Sequence, residues 1–143
     1  MQLSPTLFFT GNAEEVLEYY RTALGGTITI HRYKDAPPEM GSSPEFADKV
    51  MYGALETPFG TIGAMDAPPG REGVPGSNFG ISVNSEDESA ADRAFTTLVD
   101  GGQVLMPYEQ TFFSKKFGMA IDKFGIRWLI SYMPAGVSTA SRS

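Results

Sequence analysis

The chain has 143 residues, of which 41% are hydrophobic and 20% charged, a formal net charge of −6 and no cysteine. That length suits one domain able to bury roughly 70% of its unfolded surface, and the missing cysteines exclude disulfides, thiolate nucleophiles, iron–sulfur clusters and cysteine-held zinc. Only Lys115-Lys116 are adjacent among the 11 basic residues, so neither nucleic acid nor an anionic membrane is expected as a partner. Met1-Gln2-Leu3-Ser4-Pro5 has no basic stretch followed by an apolar one. No secretory signal is therefore expected, and a cytoplasmic location is.

Leu7-Phe8-Phe9 predicts a short strand, closed by Thr10-Gly11-Asn12. A helix follows, with Asn12 as N-cap, Glu15 completing a variant capping box, and Val16, Tyr19, Tyr20 and Leu24 on its apolar face. Gly25-Gly26 ends it. Thr27 to Tyr33 alternates as a strand, with Thr29, His31 and Tyr33 on one face. Lys34 to Lys49 is a long loop, of the kind that carries function or lacks order. Val50 to Glu56 and Thr61 to Asp66 form a hairpin around Thr57-Pro58-Phe59-Gly60, and Ala67 to Ser77 is a Pro/Gly-rich linker.

The order then repeats. Phe79 to Val83 predicts a strand, Ser85-Glu86-Asp87-Glu88 a capping box, and Ala91, Ala94, Phe95 and Leu98 a helix face that ends at Gly101-Gly102. Gln103 to Pro107 is a strand and Tyr108 to Lys116 a loop. A last hairpin follows, in which Met119 and Ile121, then Ile126, Trp128 and Ile130, alternate about an Asp122–Gly125 turn. The caps Asn12 and Ser85 stand about 73 residues apart and the Gly-Gly pairs about 76, so the repeat is half the chain. The expected fold is α+β: two βαβββ modules with curved half-barrel sheets, at approximately 1–67 and 78–134, joined by a linker at 68–77 and followed by a polar, frayed tail at 135–143.

Three stretches together resemble the PhnB-like branch of the vicinal-oxygen-chelate superfamily, which includes glyoxalase I, bleomycin-resistance proteins and extradiol dioxygenases. They are Leu7-Phe8-Phe9 with Gly11-Asn12-Ala13-Glu14-Glu15 and Tyr19-Tyr20, then Met65-Asp66-Ala67-Pro68-Pro69, and finally Phe117-Gly118 with Asp122, Phe124-Gly125 and Trp128. Lys123 and Phe113-Ser114 depart from the branch, which often has Pro and Trp-Gly there. The resemblance implies a homodimer and a small-molecule ligand held in a cleft. In metal enzymes of the superfamily four strand positions converge on the ion. They fall approximately on Pro5, Ala64, Asn78 and Leu129, and their immediate neighbours add no histidine or carboxylate. Asp66 lies two residues beyond Ala64, and one carboxylate with one amide falls short of the three protein ligands that Zn²⁺ or Fe²⁺ takes. No metal and no other cofactor is expected. Chains of this branch are sometimes labelled demethylubiquinone methyltransferase-like, yet no strand, glycine-rich turn and helix suited to S-adenosylmethionine is apparent here.

Few residues remain as candidates for chemistry. His31 is the sole histidine; it is either a general base or an exposed strand residue. Asp66 is either a base or hydrogen-bond acceptor in the cleft or a turn cap, and Asp122 reads as a turn residue. Trp128 with Phe9, Phe79, Phe112, Phe113 and Phe117 either line an apolar pocket or belong to the core, and Asn78 at a ligand position either binds a polar substrate or is surface. The leading expectation is a metal-free protein that binds a small organic molecule through Phe9, Asp66, Asn78, Phe113 and Trp128. One alternative is a metal-dependent lyase, isomerase or dioxygenase of the glyoxalase type. The other is a cofactor-free acid/base enzyme using Asp66 or His31.

Overall fold

In the computed structural model, residues 3–36, 44–68, 76 and 78–136 are described. Most of the expected linker, the tail beyond 136 and the middle of the 34–49 loop lie outside them. The chain forms two compact units, Met1–Val74 and Pro75–Ser143.

In the first unit the elements are β1 (Thr6–Phe9), α1 (Ala13–Leu24), β2 (Thr27–Arg32), β3 (Val50–Thr57) and β4 (Gly60–Asp66). Their sheet order is β1-β4-β3-β2, with β1 parallel to β4 and the other pairs antiparallel. The second unit repeats the scheme with β5 (Ile81–Ser85), α2 (Glu88–Val99), β6 (Gln103–Glu109), β7 (Lys116–Ile121) and β8 (Arg127–Tyr132) in the order β5-β8-β7-β6. A βαβ crossover from β1 would ordinarily deliver the next strand beside it. Here the neighbour of β1 is instead the last strand, so β3 and β4 fill the space between β1 and β2.

Each helix covers one face of its own sheet. In α1 the buried side chains are Ala13, Val16, Leu17, Tyr20, Ala23 and Leu24, and in α2 Ala91, Ala94, Phe95 and Leu98. Tight approach marks which strand residues meet the helix. A Cβ on Gly53 would sit 2.8 Å from Leu17 Cδ1, and one on Gly118 2.7 Å from Phe95 Cε1. Residues paired opposite these glycines share their face, so Ala64 and Leu7 point toward α1, and Ile130 toward α2. Two residues further along the same face lie Asp66 on β4 and Trp128 on β8. The alternate residues form the face that the unit's own helix leaves open.

The second glycine of each Gly-Gly pair has a steric cause. After α1 the chain passes over β3 so closely that a Cβ on Gly26 would lie 2.1 Å from the Glu56 carbonyl, and one on Gly102 after α2 2.2 Å from that of Ile121. Gly26 also has φ +114°.

Three local expectations are corrected. Asn12 occupies the N-cap position of α1 but its side chain makes no capping bond, because a more distant carboxylate serves that role. The cap of α2 is Asp87, whose Oδ1 accepts from Ser89 N–H at 3.0 Å, while Ser85 Oγ accepts from Asp87 N–H. The strand expected at Phe79 begins at Ile81, where pairing with Trp128 starts, and leaves Phe79 73% exposed. No helix among the described residues is long and apolar enough to cross a membrane.

Candidate functional site

The two buried carboxylates come first, since each was a candidate for chemistry or for a turn. Asp66 is fully buried at the end of β4. Its Oδ1 accepts from Gly11 N–H (2.8 Å) and Ala13 N–H (2.9 Å), and its Oδ2 from Val50 N–H (2.9 Å). Its own carbonyl accepts from Tyr33 Oη at 2.9 Å. One residue thus ties the last strand to the start of α1, the start of β3 and the turn after β2. Both oxygens are engaged by backbone amides, which need an acceptor wherever they are buried. Asp122 is 3% exposed. Its Oδ1 accepts from Phe124 and Ile126 N–H and its Oδ2 from Trp128 Nε1 at 2.8 Å.

Several expected ligand-binding side chains lie on the helix-facing side. Trp128 is fully buried and its indole N–H is held by Asp122, so it belongs to the core of the second unit and not to an open pocket wall. Phe9 alternates with Phe8 and shares the side of buried Leu7, while Phe8 is 56% exposed on the other face. Asn78 is exposed in the segment before β5. His31 is exposed on the edge strand β2, opposite Tyr52.

Phe113 is the exception, because it sits with other aromatics. Its ring meets that of Phe117 edge-on with centroids 4.9 Å apart, and that of Phe112 edge-on at 5.1 Å. Phe117 alternates with Gly118 and therefore stands on the open face of β7, while Phe112 is 96% exposed. Ser114 beneath them is buried, and its Oγ lies 2.8 Å from Ser131 Oγ and within bonding distance of the Lys116 and Tyr132 carbonyls. That hydroxyl fastens the aromatic loop to β8. The rest of this face carries Met119 and Leu129, paired across β7 and β8, with Ser82 beside Leu129 and Asn84 beside Ser131. It is an apolar strip with aromatics at one end and neutral hydroxyl and amide groups along one side.

The helix-facing side of the same strands holds a charged cluster. Lys116 Nζ pairs with Glu88 at 2.9 Å and Asp92 at 3.1 Å, and stands 5.3 Å from the centre of the Tyr108 ring. Its hydrogen bonds to Glu88 and then Asp92 raise its pKa. Tyr108 stacks on Phe95 with centroids 4.9 Å apart. Burial, and then the Asp92 charge, pushes the Tyr108 phenol far above its ordinary range. Its hydroxyl is buried and makes no well-aimed hydrogen bond.

Residues offered for a metal do not fit one. Ala64 and Asp66 face α1, so the open face of β4 carries Thr61, Gly63 and Met65, one residue out of step with the expected alignment. In the first unit the open faces of β1 and β4 offer the Thr6 and Thr61 hydroxyls and the Met65 thioether, and in the second those of β5 and β8 offer the Ser82 and Ser131 hydroxyls and the Asn84 amide. Neither donor set suits Zn²⁺ or Fe²⁺. Among the described residues no three His, Asp or Glu side chains gather.

Sequence reasoning named Phe117 among the aromatics of a possible pocket but passed over Met119 beside it, although its alternation with Gly118 and Ala120 was visible. It also passed over Arg127, which starts β8 on that same face.

Comparison with known proteins gives a consistent relationship. A family model described as 3-demethylubiquinone-9 3-methyltransferase matches residues 1–131. Protein YjdN of Escherichia coli (strain K12) is 29% identical over 141 residues, covering 92% of this chain and 95% of that one. Protein PA1353 from Pseudomonas aeruginosa has a crystal structure that superposes with a TM-score of 0.82 at 31% identity, covering 94% and 98% of the two chains. The PhnB protein from Bacillus cereus gives 0.70 at 26%, covering 93% and 100%. A glyoxylase/bleomycin resistance protein/dioxygenase domain from Frankia sp. EAN1pec shares the fold, with a TM-score of 0.59 at 13% identity over 99% and 98% of the chains.

Proposed function

The chain belongs to the 3-demethylubiquinone-9 3-methyltransferase family, a PhnB-like branch with the glyoxalase/bleomycin-resistance fold, and from that premise we propose that it binds a small organic molecule without a metal ion, on the open face of its second sheet. The observation that carries this reading is the aromatic group Phe112, Phe113 and Phe117, packed edge to edge beside an apolar strip. Aromatic rings left on an open sheet face supply large contact area at small entropic cost, the usual makings of a ligand wall. Sequestering or shielding a molecule needs no further chemistry. The methyl transfer in the family's description forms no part of the proposal, because the turn between β1 and α1 holds a single glycine, Gly11, whose amide already bonds Asp66, and is not the glycine-rich turn that S-adenosylmethionine takes.

A homodimer accompanies this reading, as the family resemblance implies. Val104, Leu105 and Met106 on the edge strand β6 are 47%, 37% and 40% exposed, an apolar edge that a second copy would cover. Sedimentation of a strict monomer at micromolar concentration would remove that part.

The test is a thermal-shift screen of small aromatic compounds against the full chain in excess chelator. A ligand that binds only the native state must raise Tm. Hits are expected whose shift disappears in Phe113→Ala and Phe117→Ala. Hits that ignore both substitutions, or that need added Zn²⁺, sink the reading.

A further inference from the structure

Among the described residues Arg127 makes no side-chain ion pair or hydrogen bond. It begins β8 on the open face, and its direction is fixed by Gly80: a Cβ there would lie 3.2 Å from Arg127 Cγ and 2.9 Å from Leu129 Cδ1. The stem therefore lies on the same side as Leu129. The Nε is buried and makes no hydrogen bond. Elsewhere Arg21 pairs with Glu18, Arg32 with Glu14, Lys34 with Asp48, and Lys116 with Glu88 and Asp92. Among the described residues no such carboxylate meets Arg127, in a chain with 17 acidic residues against 11 basic ones. A buried donor on a charged group that lacks an acceptor raises the free energy of the empty site, and a bound anion would relieve it.

The surroundings define the rest of that anion. Arg127, Leu129 and Ser131 follow one another along the open face, opposite Ile121, Met119 and Phe117. Strand rise puts Leu129 about 7 Å and the Ser131–Phe117 row about 13 Å from the arginine backbone. A molecule lying along β8 thus meets a cation, then an apolar strip, then the Phe117–Phe113 pair. We propose that Arg127 is a specificity-determining residue that anchors the carboxylate of an organic acid, whose apolar body covers Leu129 and Met119 and whose far end reaches the aromatic cluster. The planar guanidinium fork matches a carboxylate in a way a lysine would not, and a single cation suits a monoanion. This rests on the reading of the face as a small-molecule site.

Calorimetric titration of the full chain with 4-phenylbutyrate and its neutral amide tests it. The wild type is expected to bind the acid at least tenfold more tightly than the amide. Arg127→Gln removes that preference, weakening the acid far more than the amide, and Arg127→Lys keeps it only in part. Raising salt weakens the acid alone. Circular dichroism checks each variant; should Arg127→Gln fail to fold, the acid–amide difference and its salt dependence in the wild type decide. Equal affinity for acid and amide, or an acid preference that survives Arg127→Gln, overturns the assignment while leaving the aromatic face as a binding site. Absence of binding by either compound at millimolar concentration overturns the assignment and the small-molecule reading together.

Discussion

The two units share a topology but hold their helices differently. In the first, the start of α1 is capped from across the sheet by Asp66, through hydrogen bonds spanning 55 and 53 residues of sequence. In the second, Asp87 caps α2 from within the chain turn itself, and the buried carboxylate has moved to Asp122, where it holds a hairpin turn and the Trp128 indole. The steric rule survives the change: Gly26 and Gly102 each slide past a carbonyl of the neighbouring strand. A repeat therefore preserves backbone geometry while the polar groups that secure it are exchanged. Its buried acids are committed to backbone and indole N–H groups, which leaves the open faces, not the acids, as the places to look for function.

The largest effect should come from Asp66. Substitution by Ala leaves three N–H donors at Gly11, Ala13 and Val50 without an acceptor in a buried site, a loss of about 3–5 kcal/mol. Denaturant unfolding measures it, and hydrogen exchange should show α1 protection falling before that of α2. Asp66→Asn should also destabilise, since its amide sets a donor against a donor. A stable Asp66→Ala protein would break the comparison.

Next come the glycines. Gly26→Ala meets both the Glu56 carbonyl and an unfavourable φ and should cost about 2–4 kcal/mol, whereas Gly102→Ala meets only the Ile121 carbonyl and should cost about 1–3 kcal/mol. Equal losses would mean that the φ of Gly26 carries no penalty. Asp87→Ala should lower Tm by less than either and affect α2 alone. The Ser89 hydroxyl, then the backbone of Ala90, lowers the Asp87 pKa. Its contribution is accordingly present above the ordinary carboxyl range and lost as pH falls through the lowered value.

The smallest effect at neutral pH belongs to Tyr108→Phe, which removes a hydroxyl with no well-aimed partner. Its signature lies at high pH. Burial raises the phenol's pKa in the folded state, so the unfolded chain ionises first, and stability falls as pH climbs above about 10. Tyr33, raised by burial and then by the Asp66 charge, adds to the same decline. The Phe variant should flatten that slope between pH 9 and 11; an unchanged slope would contradict the assignment to Tyr108.

Much of the fold was legible because its signals are local. The Gly-Gly pairs, the Asp122–Gly125 turn and the alternation through Trp128 each depend on residues a few positions apart. Local signals failed at Asn12 and Ser85, where a capping residue was visible but the bond was made by another group. The role of Asp66 had no local signal, as its partners come from three distant segments. Alternation also grouped Ile126, Trp128 and Ile130 correctly without saying which group faces the helix, so Trp128 was assigned to a ligand wall and Arg127 was passed over. Face follows from close approaches such as Gly118 to Phe95, which only the folded chain provides.

The central claim is that the open aromatic face binds an organic molecule without help from a metal. It is tested most directly by titrating 4-phenylbutyrate into chelator-treated protein and into the same protein after Zn²⁺ soaking, beside Phe117→Ala. The account predicts one affinity for both wild-type samples and about a tenfold loss in the variant, the weight of one aromatic contact. A tightly held ion in each chain, with binding lost on chelation and unaffected by Phe117→Ala, would contradict it.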